Sequence, residues 1–183
     1  MQAFAPSPPD IVKSVQQRWL LTHWMRQREG RKLPLSAGFD LAQAEACHDD
    51  LSILDVLPHN GVHRFRILDH GRRVGTMYAG ECAGKFLDEV LPDSAREWTL
   101  ETYEHVVQSR APIYTVSSMT DGEGRPVLFE RLLLPLADAE GRVSRILALL
   151  ETISTEGKIE RSQLMTGART IQSTAIKAEL RIP

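Results

Sequence analysis

The stretch Ile113-Tyr-Thr-Val-Ser-Ser-Met-Thr120, Asp121-Gly-Glu-Gly124, Val127-Leu-Phe-Glu-Arg-Leu-Leu-Leu-Pro-Leu136, Asp138-Ala-Glu-Gly141, Val143-Ser-Arg-Ile-Leu-Ala-Leu-Leu150 predicts three consecutive antiparallel strands. Asp and Gly supply the side-chain-bonded and positive-φ positions of tight turns, and β-branched residues crowd the flanks. Apolar residues occupy both alternation phases, most clearly at Leu132, Leu133 and Leu134. A half-solvated sheet would alternate, so both faces of this meander must be covered.

Working outward, Leu51–Leu57 and Val62–Asp69 form a hairpin around Pro58-His-Asn-Gly61, where Asn-Gly is a turn signal. Gly71, Gly75, Gly80 and Gly84 break the following segment into short helical turns that end in Phe86-Leu-Asp-Glu-Val-Leu-Pro92. Asp93 or Ser94 then caps a helix over Ala95–Ser109, striped by Trp98, Thr102, Val106 and Ser109. Upstream, Pro6, Pro8 and Pro9 precede a helix expected over Ile11–Gln27, capped by Asp10 and stopped by Gly30. Its apolar residues turn around the axis, from Val15 and Trp19 to Leu20, Leu21 and Trp24, so it is expected to touch both its own sheet and a second copy. Leu41–Cys47 is a short helix behind Asp40, and Glu156–Pro183 lacks periodicity and is expected to be a tail. The division is therefore an N-terminal extension and helix over 1–32, a domain over 33–155 and a tail over 156–183.

Composition narrows the function. The 183 residues carry 22 Lys plus Arg against 24 Asp plus Glu, a balance with no global pull towards nucleic acid. The longest apolar run, Ile146–Leu150, is five residues, and the N-terminus lacks a basic start and an apolar core, so neither a membrane span nor a signal peptide is expected. Cys47 and Cys82 make no CxxC motif, and two unpaired thiols fit a cytoplasmic chain. No Gly-x-Ser-x-Gly elbow, phosphate-binding Gly-rich loop or His-Glu-x-x-His is present, so an enzyme is not expected.

Several pieces resemble a family of small bacterial PAS-like sensor proteins, usually one domain behind an N-terminal helix. They are Trp24 with Arg28-Glu-Gly-Arg31, then Leu33-Pro34 and Asp40; Leu54-Asp55-Val56; Phe65-Arg66-Ile67; and Gly84 with Leu87, Val90, Leu91 and Pro92. The most specific is Phe129-Glu130-Arg131 running to Leu136 before an acidic-Gly-Arg turn. Together they cover about residues 20 to 153. Cys47-His-Asp-Asp50 and Asp69-His-Gly71 depart from the family pattern, at the mouth of any pocket.

The resemblance implies an α+β, PAS-like fold: a five-stranded antiparallel sheet, helices on one face and the N-terminal helix on or near the other. It implies a sensory or regulatory domain that binds a small molecule, as a homodimer through the N-terminal helix, signalling through dimer geometry or a separate protein. An adaptor of the same fold with a filled core is the alternative, and a small enzyme a third. Candidate ligand-contacting residues are Arg66, Tyr78, Trp98, Tyr103, Ser117, Met119 and Arg131, a mixture of apolar bodies and few polar tips that suits a pocket or a closed core.

Glu130 and Arg131 must point to opposite faces, and each needs a partner if buried. A structural pair of Arg66 with Glu130, or an arginine fork holding a carboxylate or phosphate, are both open. A small organic ligand is allowed. Haem is not expected, because His105 sits beside Glu101 and Glu104; flavin photochemistry is not expected, because Gly80-Glu-Cys-Ala-Gly84 lacks the reactive-cysteine context. His48, Asp49 and Asp50 do not by themselves make a metal site.

Overall fold

The computed structural model describes residues 3–78, 80–121, 123–154 and 173–182. The meander is present as β4 (Ile113–Thr120), β5 (Pro126–Ala137) and β6 (Val143–Ser154). The hairpin is β2 (Leu51–His59) and β3 (Val62–His70), with both turn residues at positive φ, Asn60 at 48° and Gly61 at 84°. Two further strands complete the sheet: β1 (Ala5–Ser7) and β7 (Ser173–Leu180). The order is β1-β7-β4-β5-β6-β2-β3, antiparallel except where β1 runs parallel to β7.

The sheet is therefore seven-stranded and mixed, not five-stranded and antiparallel. The correction comes from the two ends of the chain, which pair with each other and extend the sheet beyond β4. Residues 156–172 of the expected tail, and Gly122 of the first meander turn, lie outside the described residues. The part of the tail over 173–180 is strand β7, held in register along β4 from Ile113↔Glu179 to Ser118↔Ser173.

The meander turn at Asp138 closes by a single device: Asp138 N–H donates to Arg142 O, Gly141 N–H donates to Asp138 O, and Asp138 Oδ1 accepts from Arg142 N at 2.8 Å. Asp121 repeats it with Arg125 and Gly124, its Oδ1 accepting from Arg125 N at 3.0 Å. Aspartate is favoured there because its side chain replaces a backbone acceptor.

Helices α2 (Arg72–Met77), α3 (Leu87–Val90) and α4 (Asp93–Ser109) cover one face of the sheet, and α1 (Val15–Arg26) covers the other. α1 begins later than expected. Its cap is Ser14, whose Oγ accepts from Gln17 N at 3.2 Å, while Asp10 lies in a separate 3-10 turn, Pro9–Ile11. α1 buries Gln17, Leu20, Leu21 and Trp24; Trp24 Nε1 donates to Pro135 O at 2.8 Å and Gln17 Nε2 to Leu149 O at 3.2 Å. A second 3-10 segment, Ala42–Asp50, replaces the short helix expected behind Asp40.

That segment passes over Gly71 with no room for a side chain. A Cβ on Gly71 would lie 1.9 Å from His48 O, and Gly71 N donates to Leu51 O at 2.8 Å. Because the obstacle is backbone, relief requires the chain to move. Gly71→Ala is expected to lower stability by about 1–3 kcal/mol, read from the urea midpoint, as other overpacked substitutions do.

Candidate functional site

Cross-strand partners share a face of the sheet, so the register assigns every side chain to one interior or the other. Arg131 pairs with Thr115 on one side and Leu150 on the other, and Thr115 pairs with Lys177. This row lies under α4, with Ser52, Leu54, Phe65 and Ile67 further along the same face.

Arg131 is 1 % exposed. Its guanidinium carbon lies 4.9 Å from the Trp98 ring centre, 5.2 Å from Phe129 and 6.0 Å from Tyr103. Among the described residues its Nε and Nη1 have no hydrogen-bond partner, and no carboxylate pairs with it. Taking an unpaired cation out of water costs several kcal/mol, against about 0.5–2 kcal/mol returned by each aromatic face. The phenols do not supply the missing charge. Burial raises the Tyr78 and Tyr103 hydroxyls above the usual tyrosine value, the Arg131 charge opposing it, so both stay protonated near neutral pH.

Beside this row a cavity of about 10 Å³ is lined by Ser52, His70, Tyr78, Cys82, Tyr103 and Leu150 among others, room for one water. His70 Nδ1 lies 3.1 Å from Gly71 O, and its Nε2 lies 2.7 Å from Glu81 Oε1 and 3.0 Å from Cys82 N. Ser52, His70 and Cys82 are absent from the sequence-based candidates; the signal for Ser52 and His70 is the β2–β3 alternation, which pairs the two across the hairpin.

Of the expected residues, Tyr78, Trp98, Tyr103 and Arg131 converge. Ser117 and Met119 share the Arg131 face further along β4, and the Ser117 hydroxyl lies 3.3 Å from that of Thr174. Arg66 is on the opposite face. There Asp55 holds both Arg66 (3.0 Å) and Arg145 (3.2 Å), so the expected partner of Glu130 is engaged elsewhere.

Glu130 lies under α1 and pairs in register with Glu151. Tyr114 donates its hydroxyl to Glu130, and Ser14, the α1 cap, donates to Glu151. Burial raises the Glu151 carboxyl above the usual carboxylate range, with the Ser14 bond opposing and Glu130 adding to the shift. Burial likewise pushes the Cys47 thiol up to about 11, with the Glu151 charge contributing, which makes it a poor nucleophile. His105 is bonded to Glu179 at 3.0 Å and stacked on Phe4 at 4.1 Å. No group of three or more potential metal-ligating side chains occurs among the described residues, and none of their helices is long and apolar enough to cross a membrane.

A family profile described as PAS domain matches residues 12–151. The chain belongs to the PAS domain family. A search of curated proteins finds no match. Among solved structures, the chain is similar to a PAS domain from Colwellia psychrerythraea at 16 % identity and TM-score 0.43, covering 63 % of this chain and 98 % of that one. It is also similar to a light-oxygen-voltage domain studied with a flavin analogue, at 16 % identity and TM-score 0.41, covering 63 % and 83 %. The Vibrio cholerae VqmA dimer, in the absence of its target DNA, gives 12 % identity and TM-score 0.45, covering 66 % and 54 %.

Glu151 is expected to make the stability of this PAS domain pH-dependent. Its folded-state carboxyl is raised, so the folded protein holds the proton more tightly than the unfolded chain. The stability this adds is full below about pH 4.3, the ordinary glutamate value, and is lost as pH rises through the raised one. Urea midpoints from about pH 4 upward are expected to show this fall in the wild type and a flatter profile in Glu151→Gln.

Proposed function

We propose that this PAS domain is a non-catalytic sensory or regulatory module that binds a small molecule between its sheet and α2–α4. One observation carries the reading: Tyr78, Trp98 and Tyr103 gather around a buried Arg131 whose Nε and Nη1 have no hydrogen-bond partner among the described residues. A buried guanidinium faced by aromatic rings is suited to receive an acceptor, and ligand would favour one arrangement of the covering helices over another.

The read-out we propose is a homodimer through the outer face of α1, passing its state to a separate signalling protein or through the dimer itself. Val15 (73 % exposed) and Trp19 (38 %) stand one turn apart on α1, away from the sheet. α1 reaches the core through the Ser14–Glu151 bond, one residue along β5 from Arg131 by way of Glu130. Two buried free thiols fit a reducing, cytoplasmic setting for this assembly. Neither nucleic acid nor membrane enters the proposal.

The 10 Å³ cavity favours a second reading, an adaptor whose core is filled and which acts by protein contact alone. Native mass spectrometry of freshly purified protein separates the two: the sensor is expected to carry a molecule lost on denaturation, and equal native and denatured masses favour the adaptor. For the dimer, light scattering is expected to show two copies for the wild type and one for the Val15→Glu, Trp19→Glu double variant. A dimeric mass in that variant rules out the α1 interface.

A further inference from the structure

Strand β7 brings a second buried cation to the Arg131 row. Lys177 is 8 % exposed and stands opposite Thr115, which stands opposite Arg131, so the two cations project from the same face two strand spacings apart, about 9.5 Å. Trp98 joins them: its ring centre lies 4.9 Å from the Arg131 guanidinium and 6.0 Å from Lys177 Nζ. Phe4, just before β1, covers the ammonium at 5.3 Å. Among the described residues Lys177 has no ion pair, and Glu179, two residues along β7, is engaged by His105.

The neighbouring polar atoms point the same way. Among the described residues Trp98 Nε1 and Thr115 Oγ1 are buried without partners, as are Nε and Nη1 of Arg131. Three of these four are N–H groups that only donate, and the fourth is a hydroxyl that does so as readily. Among the described residues this cluster holds donors and positive charge with no carboxylate paired to Arg131 or Lys177. The complement of such a set is an oxyanion: a planar fork on one side, a point charge on the other and an indole N–H between.

We propose that Arg131 and Lys177, with Trp98 between them, form an anion subsite, so that the small molecule bound under α4 carries a carboxylate or a phosphate. Residues 173–180 thereby belong to the site, as the strand that delivers its second cation. This rests on the reading of the domain as a small-molecule sensor.

The test is thermal unfolding of the full chain at matched ionic strength, with inorganic phosphate, benzoate or neutral benzamide added, for the wild type, Arg131→Met, Arg131→Lys and Lys177→Met. Phosphate or benzoate is expected to raise the wild-type midpoint in a saturable way, and benzamide to leave it unmoved. Each variant is expected to weaken the apparent affinity roughly tenfold or more, the loss of a hydrogen bond to a charged group. In anion-free buffer Arg131→Met is expected to unfold no earlier than the wild type, because an apolar side chain replaces an unpaired buried charge. Arg131→Lys keeps the charge and loses the fork, so it reports on recognition if the methionine variant folds poorly.

Equal shifts with benzamide and benzoate, or anion shifts of the same size in the wild type and all three variants, overturn the anion subsite. So does a wild-type midpoint that neither anion moves. If the purified protein retains an uncharged molecule, the anion assignment falls while the sensor reading stands. If nothing is retained and no probe of either kind binds, the sensor reading itself falls.

Discussion

Strand β5 is covered on both faces, and it carries two adjacent opposite charges that cannot reach water. Pro126–Ala137 lies between β4 and β6, and Glu130 and Arg131 are 6 % and 1 % exposed at its middle. Alternation sends the carboxylate under α1 and the guanidinium under α4. Neither can neutralise the other across the sheet, so each interior must accommodate one charge with what its covering helices supply.

The two interiors do so differently. Under α1 the solution is a hydrogen-bonded acidic cluster: Tyr114 bonds Glu130, and the helix cap Ser14 bonds Glu151 beside it. Attachment of the helix start is thus tied to a carboxyl whose affinity for a proton is raised by burial. Under α4 the solution is aromatic: Trp98, Phe129 and Tyr103 face the guanidinium, and none accepts a hydrogen bond from it. Among the described residues the α1 face is left with buried acceptors, Glu130 Oε2 and Gln17 Oε1, and the α4 face with the Arg131 donors Nε and Nη1. In the proposed sensor this asymmetry gives each face a task, recognition under α4 and transmission under α1, with adjacent residues of β5 between them.

Much of the fold was legible because it is local. The two meander turns follow from Asp side chains replacing backbone acceptors, the hairpin from Asn60-Gly61 at positive φ, and double-sided burial from leucines on both phases of β5. The opposition of Glu130 and Arg131 was legible too, since it needs only a period of two. The partner of Arg66 was not. Arg66 and Asp55 face each other only because β2 and β3 pair in one register, and β2 then borders β6, which brings Arg145 to the same carboxylate. The start of α1 was misplaced because Asp10 and Ser14 are both good caps, and only Ser14 meets Glu151 across the fold.

The order of residues was enough for the strands of the meander, the hairpin, the long helix and the separation of the two central charges, since turn chemistry and side-chain alternation act over a few positions. The tertiary structure alone decided that the ends of the chain join the sheet, that Lys177 stands beside Trp98 and Arg131, and that His70 and Cys82 border the same interior. Edge-strand pairing follows from which backbone groups remain unpaired after the rest of the sheet has formed, and residues 173–180 carry no mark of that in their own composition.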